Sequence, residues 1–172
     1  MSSSAHAQKL PAVHDPEFCT AFYAPYKAAA ISGLSLLAAA REAMESEVLA
    51  ISYRLKSGAS IRGKLLLKGL PPTAASAASA LHDIAGLRAV LTSRDAVYRF
   101  ARQIMSSKAF VLEDIHDYIR APKPSGYRSL HLIGRIPVGT GEYLVPLEIQ
   151  LRTAAMDAWA CAEHRLIYKP RA

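Results

Sequence analysis

The sequence predicts a mixed α/β fold with about five strands in one sheet flanked by helices. Two observations lead there. Short apolar runs at 48–54, 84–91, 111–119, 127–138 and 143–152 are set off by turn residues, as strands are. Among the segments between and beyond them, Met156, Trp159, Ala160, Glu163, His164 and Ile167 recur at helical spacing. No internal repeat is visible, so one compact unit is expected, with residues 1–47 as an N-terminal helical segment packed on a core formed by 48–172.

Taken in order, Asp15-Pro16-Glu17 has the pattern of a helix start, with Asp as N-cap and Pro at the first helical position. That helix is expected to kink or restart at Pro25 and to run to about Glu47. Its run Ala28–Ala40 is apolar but too short to span a bilayer, which makes it a buried helix rather than a membrane anchor. The preceding residues lack the apolar core of a secretory signal. After the 48–54 strand, Ser57-Gly58 breaks the chain, and a basic helix from about Ser60 to Lys68 follows, with Ser57 or Ser60 as cap. Leu70-Pro-Pro-Thr closes it, and the Ala-rich 74–80 segment reads as a short helix or a mobile loop. A helix from about Arg94 to Ser107 separates the 84–91 and 111–119 strands. Gly139-Thr-Gly141 makes a tight turn between the last two strands and pairs them antiparallel, and a helix over 154–168 ends the pattern.

Composition narrows the function classes. With 51% apolar and 20% charged residues among 172, the chain is globular and long enough for a real core. Its net charge of +7 favours anionic partners such as nucleotides, RNA or acidic proteins, and says nothing about fold. Cys19 and Cys161 are far apart and show neither metal-ligand spacing nor a disulfide framework, which points to a reducing, cytoplasmic setting.

Several groups of residues could carry chemistry. In Pro122-Lys-Pro-Ser-Gly-Tyr-Arg-Ser-Leu-His131, prolines and a glycine stiffen a loop that opens into a strand. A strand starting near Tyr127 would put Tyr127, Ser129 and His131 on one face, with Lys123 on the turn ahead: a ring for a base, and cations and donors for phosphate. In Leu147-Glu-Ile-Gln-Leu-Arg152 the apolar residues face the core, and Glu148, Gln150 and Arg152 share the other face, where Glu148 could meet the Tyr127/His131 wall. Such a polar face is ordinarily solvated. Asp83 opens the strand Asp-Ile-Ala-Gly-Leu-Arg88 and could hold a metal with Glu148. Gly86 there would mark the close approach of a ligand or another backbone, with room for a flat ring beside Arg88. Arg54, Lys56, Arg62, Lys64 and Lys68 cluster around one strand-to-helix turn, and no acidic residue occurs from 48 to 82, which favours phosphate binding there. The His-Asp pairs at 14–15, 82–83 and 116–117 raise an all-helical metal phosphohydrolase, but two of them adjoin predicted strands; no Walker P-loop occurs.

In this order the motifs resemble the synthetase domain of the RelA/SpoT family, the (p)ppGpp-making pyrophosphokinases, over about residues 50–169. The matching strings are Arg54-x-Lys56 with Ser60-Ile61 and Lys64, Asp83-Ile-Ala-Gly-Leu-Arg88, Tyr118 with Pro122 to His131, Glu148-Ile-Gln-Leu-Arg-Thr153, and Met156-x-x-Trp-Ala-x-x-Glu-His164 with Tyr168-Lys169. No separate hydrolase or regulatory domain fits the length, as in a small single-domain alarmone synthetase. The resemblance implies a nucleotidyltransferase-like fold and transfer of the β,γ-pyrophosphoryl group of ATP to the 3′-OH of GDP or GTP. Carried over by position, Arg54 and Arg88 would sandwich the adenine, and Lys56 and Lys64 would hold the ATP phosphates. Asp83 and Glu148 would bind Mg²⁺, with Glu148 also activating the acceptor hydroxyl. Tyr127 would stack on the acceptor base, with Lys123 and His131 on its phosphates. Homo-oligomeric assembly is a further expectation. Toxin-type members of the family carry the same chemistry onto adenine nucleotides or the tRNA 3′ end and would bring an antitoxin or immunity protein as partner. A catalytically silent nucleotide sensor is the other reading to be separated.

Overall fold

A computed structural model describes residues 17–141 and 143–167, with the side chains of 164–167 outside the description. One five-stranded sheet organises it, with strands β1 (Val48–Leu55), β2 (Ala85–Leu91), β3 (Val111–Asp117), β4 (Leu130–Val138) and β5 (Tyr143–Thr153). Their order across the sheet is β1-β2-β5-β4-β3. Every neighbouring pair is antiparallel except β2 and β5, which run parallel at the centre. A tight turn can join only antiparallel strands. The chain therefore goes from β2 to β5 by way of helix α4 (Arg94–Ser106), β3 and β4.

The two faces of the sheet differ in kind. Leu87, Ala89 and Leu91 of β2 align with Leu147, Ile149 and Leu151 of β5 and with Leu130 and Leu132 of β4 on one face, all buried. Helices α1 (Thr20–Glu42) and α4 cover that face. α1 lies so close that a Cβ on its Gly33 would come within 2.8 Å of the Leu147 side chain. α4 turns Ala96, Val97, Phe100, Ala101 and Ile104 inward, and Ser93 caps it through the Ala96 amide.

Several boundaries differ from the sequence expectation. α1 continues through Pro25 and stops at Glu42; a separate 3₁₀ turn, Glu45–Glu47, leads into β1. Pro25 is the sixth residue of the helix, beyond its first turn, and the helix continues past it with one backbone N–H fewer in its ladder. Cys19 occupies the N-cap place without a side-chain cap, and the start expected at Asp15-Pro16 lies outside the described residues. α2 spans Gly58–Leu67, and Ser57 rather than Ser60 caps it, its Oγ accepting the Ser60 amide. The 74–80 segment is helical as α3 (Ala74–Ala80), capped by Thr73. β4 begins at Leu130, later than expected. Gly126 takes φ 85° and the Arg128 guanidinium donates to the Ile119 carbonyl, so 127–129 form a crossing segment rather than strand. The last helix, α5 (Ala154–Ile167), contacts β5 and β2.

β4 pairs antiparallel with the edge strand β3, and the pairing is irregular between Leu112 and Asp114. There a Cβ on Gly134 would meet the Val111 carbonyl oxygen at 2.3 Å and the Phe110 ring at 2.6 Å. A backbone oxygen cannot step aside. Gly134→Ala is expected to destabilise the fold by about 1–3 kcal/mol, the range for overpacking, read as a lower denaturant midpoint at unchanged slope.

Candidate active site

The second face of the sheet is polar and largely buried. The register aligns Arg54 with Gly86, Gly86 with Glu148, and Arg88 with Gln150, which is itself opposite His131. Glu148, Gln150, Arg152 and His131 are all buried, so the polar face expected to be solvated is instead packed. Burying these groups is costly unless they satisfy one another, and they do.

At one end sits Asp83, just before β2. Lys56 Nζ lies 2.7 Å and Lys64 Nζ 2.8 Å from the same oxygen, Oδ2. Lys56 is fixed from both sides. Its amide donates to the Ile84 carbonyl, and its own carbonyl accepts the Tyr23 hydroxyl of α1. Lys64 comes from the last turn of α2. Burial pushes the Asp83 carboxyl up, but hydrogen bonds and charge from the two lysines prevail and hold it at about 2. Burial also lowers the Lys56 ammonium, against the pull of Asp83 and helped by nearby Arg54 and Lys64. The other oxygen, Asp83 Oδ1, is buried with no hydrogen-bond partner.

Glu148 stands on the neighbouring strand. His131 Nδ1 lies 2.9 Å from its Oε1, and Gln150 Nε2 donates to its Oε2 at 2.7 Å. Burial raises the Glu148 carboxyl, yet His131 and Gln150 bring it net below its ordinary value, with Asp83 repelling it. The hydrogen bonds continue outward. Tyr127 Oη is 2.8 Å from His131 Nε2, and Arg152 donates to Tyr127 Oη at 2.5 Å and to Gln150 Oε1 at 3.0 Å. A His131 ring protonated at Nδ1 fits this chain, donating to Glu148 and accepting from Tyr127. Arg152 also bonds Asp157 Oδ1 at 3.0 Å, and Arg88 reaches that same oxygen at 3.1 Å.

The remaining predicted residues fall around this line. The Arg54 side chain lies over Gly86, its Cγ and Nε 3.7 Å from where a Cβ would be. The close approach expected at Gly86 is thus by Arg54, at ordinary contact distance. Lys123 Nζ sits over the rings of Tyr118 at 4.6 Å and Tyr127 at 5.0 Å. Tyr118 meets Tyr127 and His131 edge-on, making an aromatic corner. His131, expected on acceptor phosphates, has both ring nitrogens engaged by Tyr127 and Glu148. Ser129 is wholly buried and donates to the Leu151 carbonyl, so it does not share the ligand wall assigned to it. Of the other basic residues, Arg62 stacks on the Phe18 ring and Lys68 is exposed. His82 pairs with Glu113, and Asp117 caps the turn at Ile119 and Arg120, so these His-Asp pairs share no centre; His14-Asp15 lies outside the described residues. Sequence reading passed over Gln150, Arg152 and Asp157 as site residues. Alternation placed the first two on the Glu148 face, but no sequence signal marks Asp157.

A hard divalent cation fits the oxygens present. Asp83 Oδ1 is an unshared buried oxygen, and Glu148 is a second carboxylate on the adjacent strand. Among the described residues no three metal-ligating side chains cluster, so such an ion would complete its shell with water and substrate phosphate, as Mg²⁺ commonly does.

Asp83 also yields a pH prediction. A carboxyl at about 2, against 3.8 when unperturbed, stabilises the fold above pH 4, and this contribution is lost as pH falls through 2. Its size is on the order of 2 kcal/mol. Denaturant midpoints for Asp83→Asn should lie below wild type at pH 7, and the gap should narrow between pH 4 and pH 2.

Residues 53–172 match the family model described as a region found in RelA / SpoT proteins. The chain is 42% identical over 119 residues to the GTP pyrophosphokinase YwaC of Bacillus subtilis, covering 67% of this chain and 56% of that relative. It thus spans little more than half of the relative's length. The crystal structure of small alarmone synthetase 1 from Bacillus subtilis bound to its product pppGpp superposes with a TM-score of 0.77 at 35% identity, over 86% of this chain and 78% of the other. The same protein bound to AMPCPP gives a TM-score of 0.70 at 29% identity, over 86% and 76%. The five-stranded sheet with its helices is therefore that of the small alarmone synthetases, and the chain belongs to the RelA/SpoT family.

Proposed function

We propose that the chain is an ATP-dependent pyrophosphotransferase that makes (p)ppGpp from GDP or GTP. One observation carries this reading: Asp83, with an unshared buried oxygen, sits two residues ahead of β2, and Glu148 stands on the parallel neighbour β5, with Arg54 over Gly86 on one side and the aromatic corner on the other. A nucleotide-binding module without chemistry has no need for both carboxylates on that face.

Arg54 and Arg88 would hold the adenine of ATP, since planar guanidiniums stack on flat rings. Lys56 and Lys64, which pair with Asp83, would turn to the ATP phosphates. Asp83 Oδ1 and Glu148 would hold Mg²⁺, which supplies charge neutralisation and orientation of the phosphates when bound. The acceptor base would stack on Tyr127 beside Tyr118, with Lys123 near its phosphates. Glu148, held ionised by His131 and Gln150, takes the proton of the acceptor 3′-hydroxyl. The freed oxygen attacks the β-phosphorus, its bond to the α–β bridging oxygen breaks, and AMP leaves with that oxygen. Catalysis of this kind rests on positioning and charge rather than on a covalent intermediate. His131 acts here through Glu148, orienting the base. ATP and guanine nucleotides in a reducing setting go with a cytoplasmic location.

The test incubates the purified chain with Mg²⁺ and labelled ATP, adding GDP, GTP, ADP, ATP or bulk tRNA in parallel. AMP release with a labelled guanosine product is expected. Label on adenosine or tRNA would move the chain to the toxin type with the same residues in the same roles, and no AMP with any acceptor would leave a silent binder. Glu148→Gln should lower turnover by about 10²–10⁴-fold, the share of a positioned base, while ATP-analogue affinity stays within a few-fold. Near-normal turnover in that variant would remove Glu148 as the base. Asp83→Asn should raise the Mg²⁺ concentration needed for half-maximal rate, read from a metal titration after chelation.

A further inference from the structure

Asp157 lies in the first turn of α5, the helix that packs on β5 and β2. One of its oxygens, Oδ1, accepts a hydrogen bond from Arg152 NH1 at 3.0 Å and also forms an ion pair with Arg88 NH1 at 3.1 Å. Those arginines come from different strands, and each leads to a different subsite. Arg88 belongs to the proposed adenine side, and its Nε is buried with no hydrogen-bond partner, so the ion pair with Asp157 anchors it. Arg152 is almost fully buried and bonds Tyr127 Oη of the acceptor corner as well as Gln150, which in turn donates to Glu148.

We infer that Asp157 is a positioning residue that couples the two nucleotide subsites, so that filling one tightens binding at the other; this rests on the reading of Arg88 and Tyr127 given above. One carboxylate oxygen shared by two guanidiniums holds each less firmly than it would hold one alone, because carboxylates pair best with a single fork. When a purine draws Arg88 onto its face, Asp157 is released to Arg152. Arg152 is buried, where charge-assisted hydrogen bonds are strong, and its tighter pairing fixes the Tyr127 hydroxyl before the acceptor arrives. Linkage makes the effect reciprocal: the acceptor must tighten ATP-analogue binding by the same factor. A salt bridge that merely pinned α5 to the sheet would alter the melting temperature and leave this factor unchanged.

Calorimetry on the full chain tests it. The Kd of GDP is measured with Mg²⁺, with and without saturating AMPCPP, in wild type and Asp157→Asn. Wild type should show at least about a fivefold gain, the lower range of coupling between sites. In Asp157→Asn the ratio should fall to within twofold of one, while each nucleotide alone still binds. Arg152→Lys, which keeps the charge but loses the fork, should lose the coupling too and decides the matter should the Asn variant not fold. A ratio of one in wild type, or a wild-type ratio in the variants, overturns the inference and leaves the proposed activity standing, since AMP release is measured separately. Failure of both nucleotides to bind would remove the reading it rests on, and the inference with it.

Discussion

The parallel pairing of β2 with β5 is the constraint on which the rest depends. It sets Gly86 beside Glu148 and brings Asp83, at the head of β2, to the same end of the sheet. Residues more than sixty positions apart thereby share one site. Parallel neighbours need a long crossover, and here the crossover is itself structural: α4 covers the apolar face, while β3 and β4 extend the sheet and deliver His131. Slipping this register by one residue would send Glu148 into the packing beneath α1 and bring Leu147 to the site.

A sheet face with a buried carboxylate, imidazole, amide and guanidinium would be unstable if any were left alone. The protein solves this by closing the set: Arg152 to Gln150 and Tyr127, Tyr127 to His131, and His131 and Gln150 to Glu148. Only Asp83 Oδ1 and Arg88 Nε stay without partners among the buried side-chain atoms of the described residues, and both belong to the proposed ATP side. The unsatisfied polarity is thus concentrated where a charged ligand would satisfy it.

Much of this was legible in the sequence, and the reason differs from residue to residue. Glu148 was marked by clean alternation in its strand, and Asp83 by its position before an apolar run ending in Arg88. The five strands were visible because turn residues bound them. Strand order was not, because periodicity says which face a residue takes and nothing about its neighbours in the sheet. The late start of β4 was hidden because Arg128 and Gly126 act through a side-chain bond and a positive φ rather than through hydropathy. Asp157 is one acidic residue on a helix until α5 is laid across two strands. The packing of the Glu148 face was misjudged for a similar reason: alternation is the same whether the polar side meets water or other polar groups.

The loop that carries Lys123 and Tyr127 rests against α5, where a Cβ on Gly126 would lie 3.4 Å from the Trp159 ring. That ring is 40% exposed, and the chain has no other tryptophan. The protein therefore carries a single optical reporter, seated against the loop that bears the proposed acceptor-side residues. Its emission follows the polarity and quenching groups around one indole, so loop movement registers there without any label or added reporter, and with no second indole to obscure it.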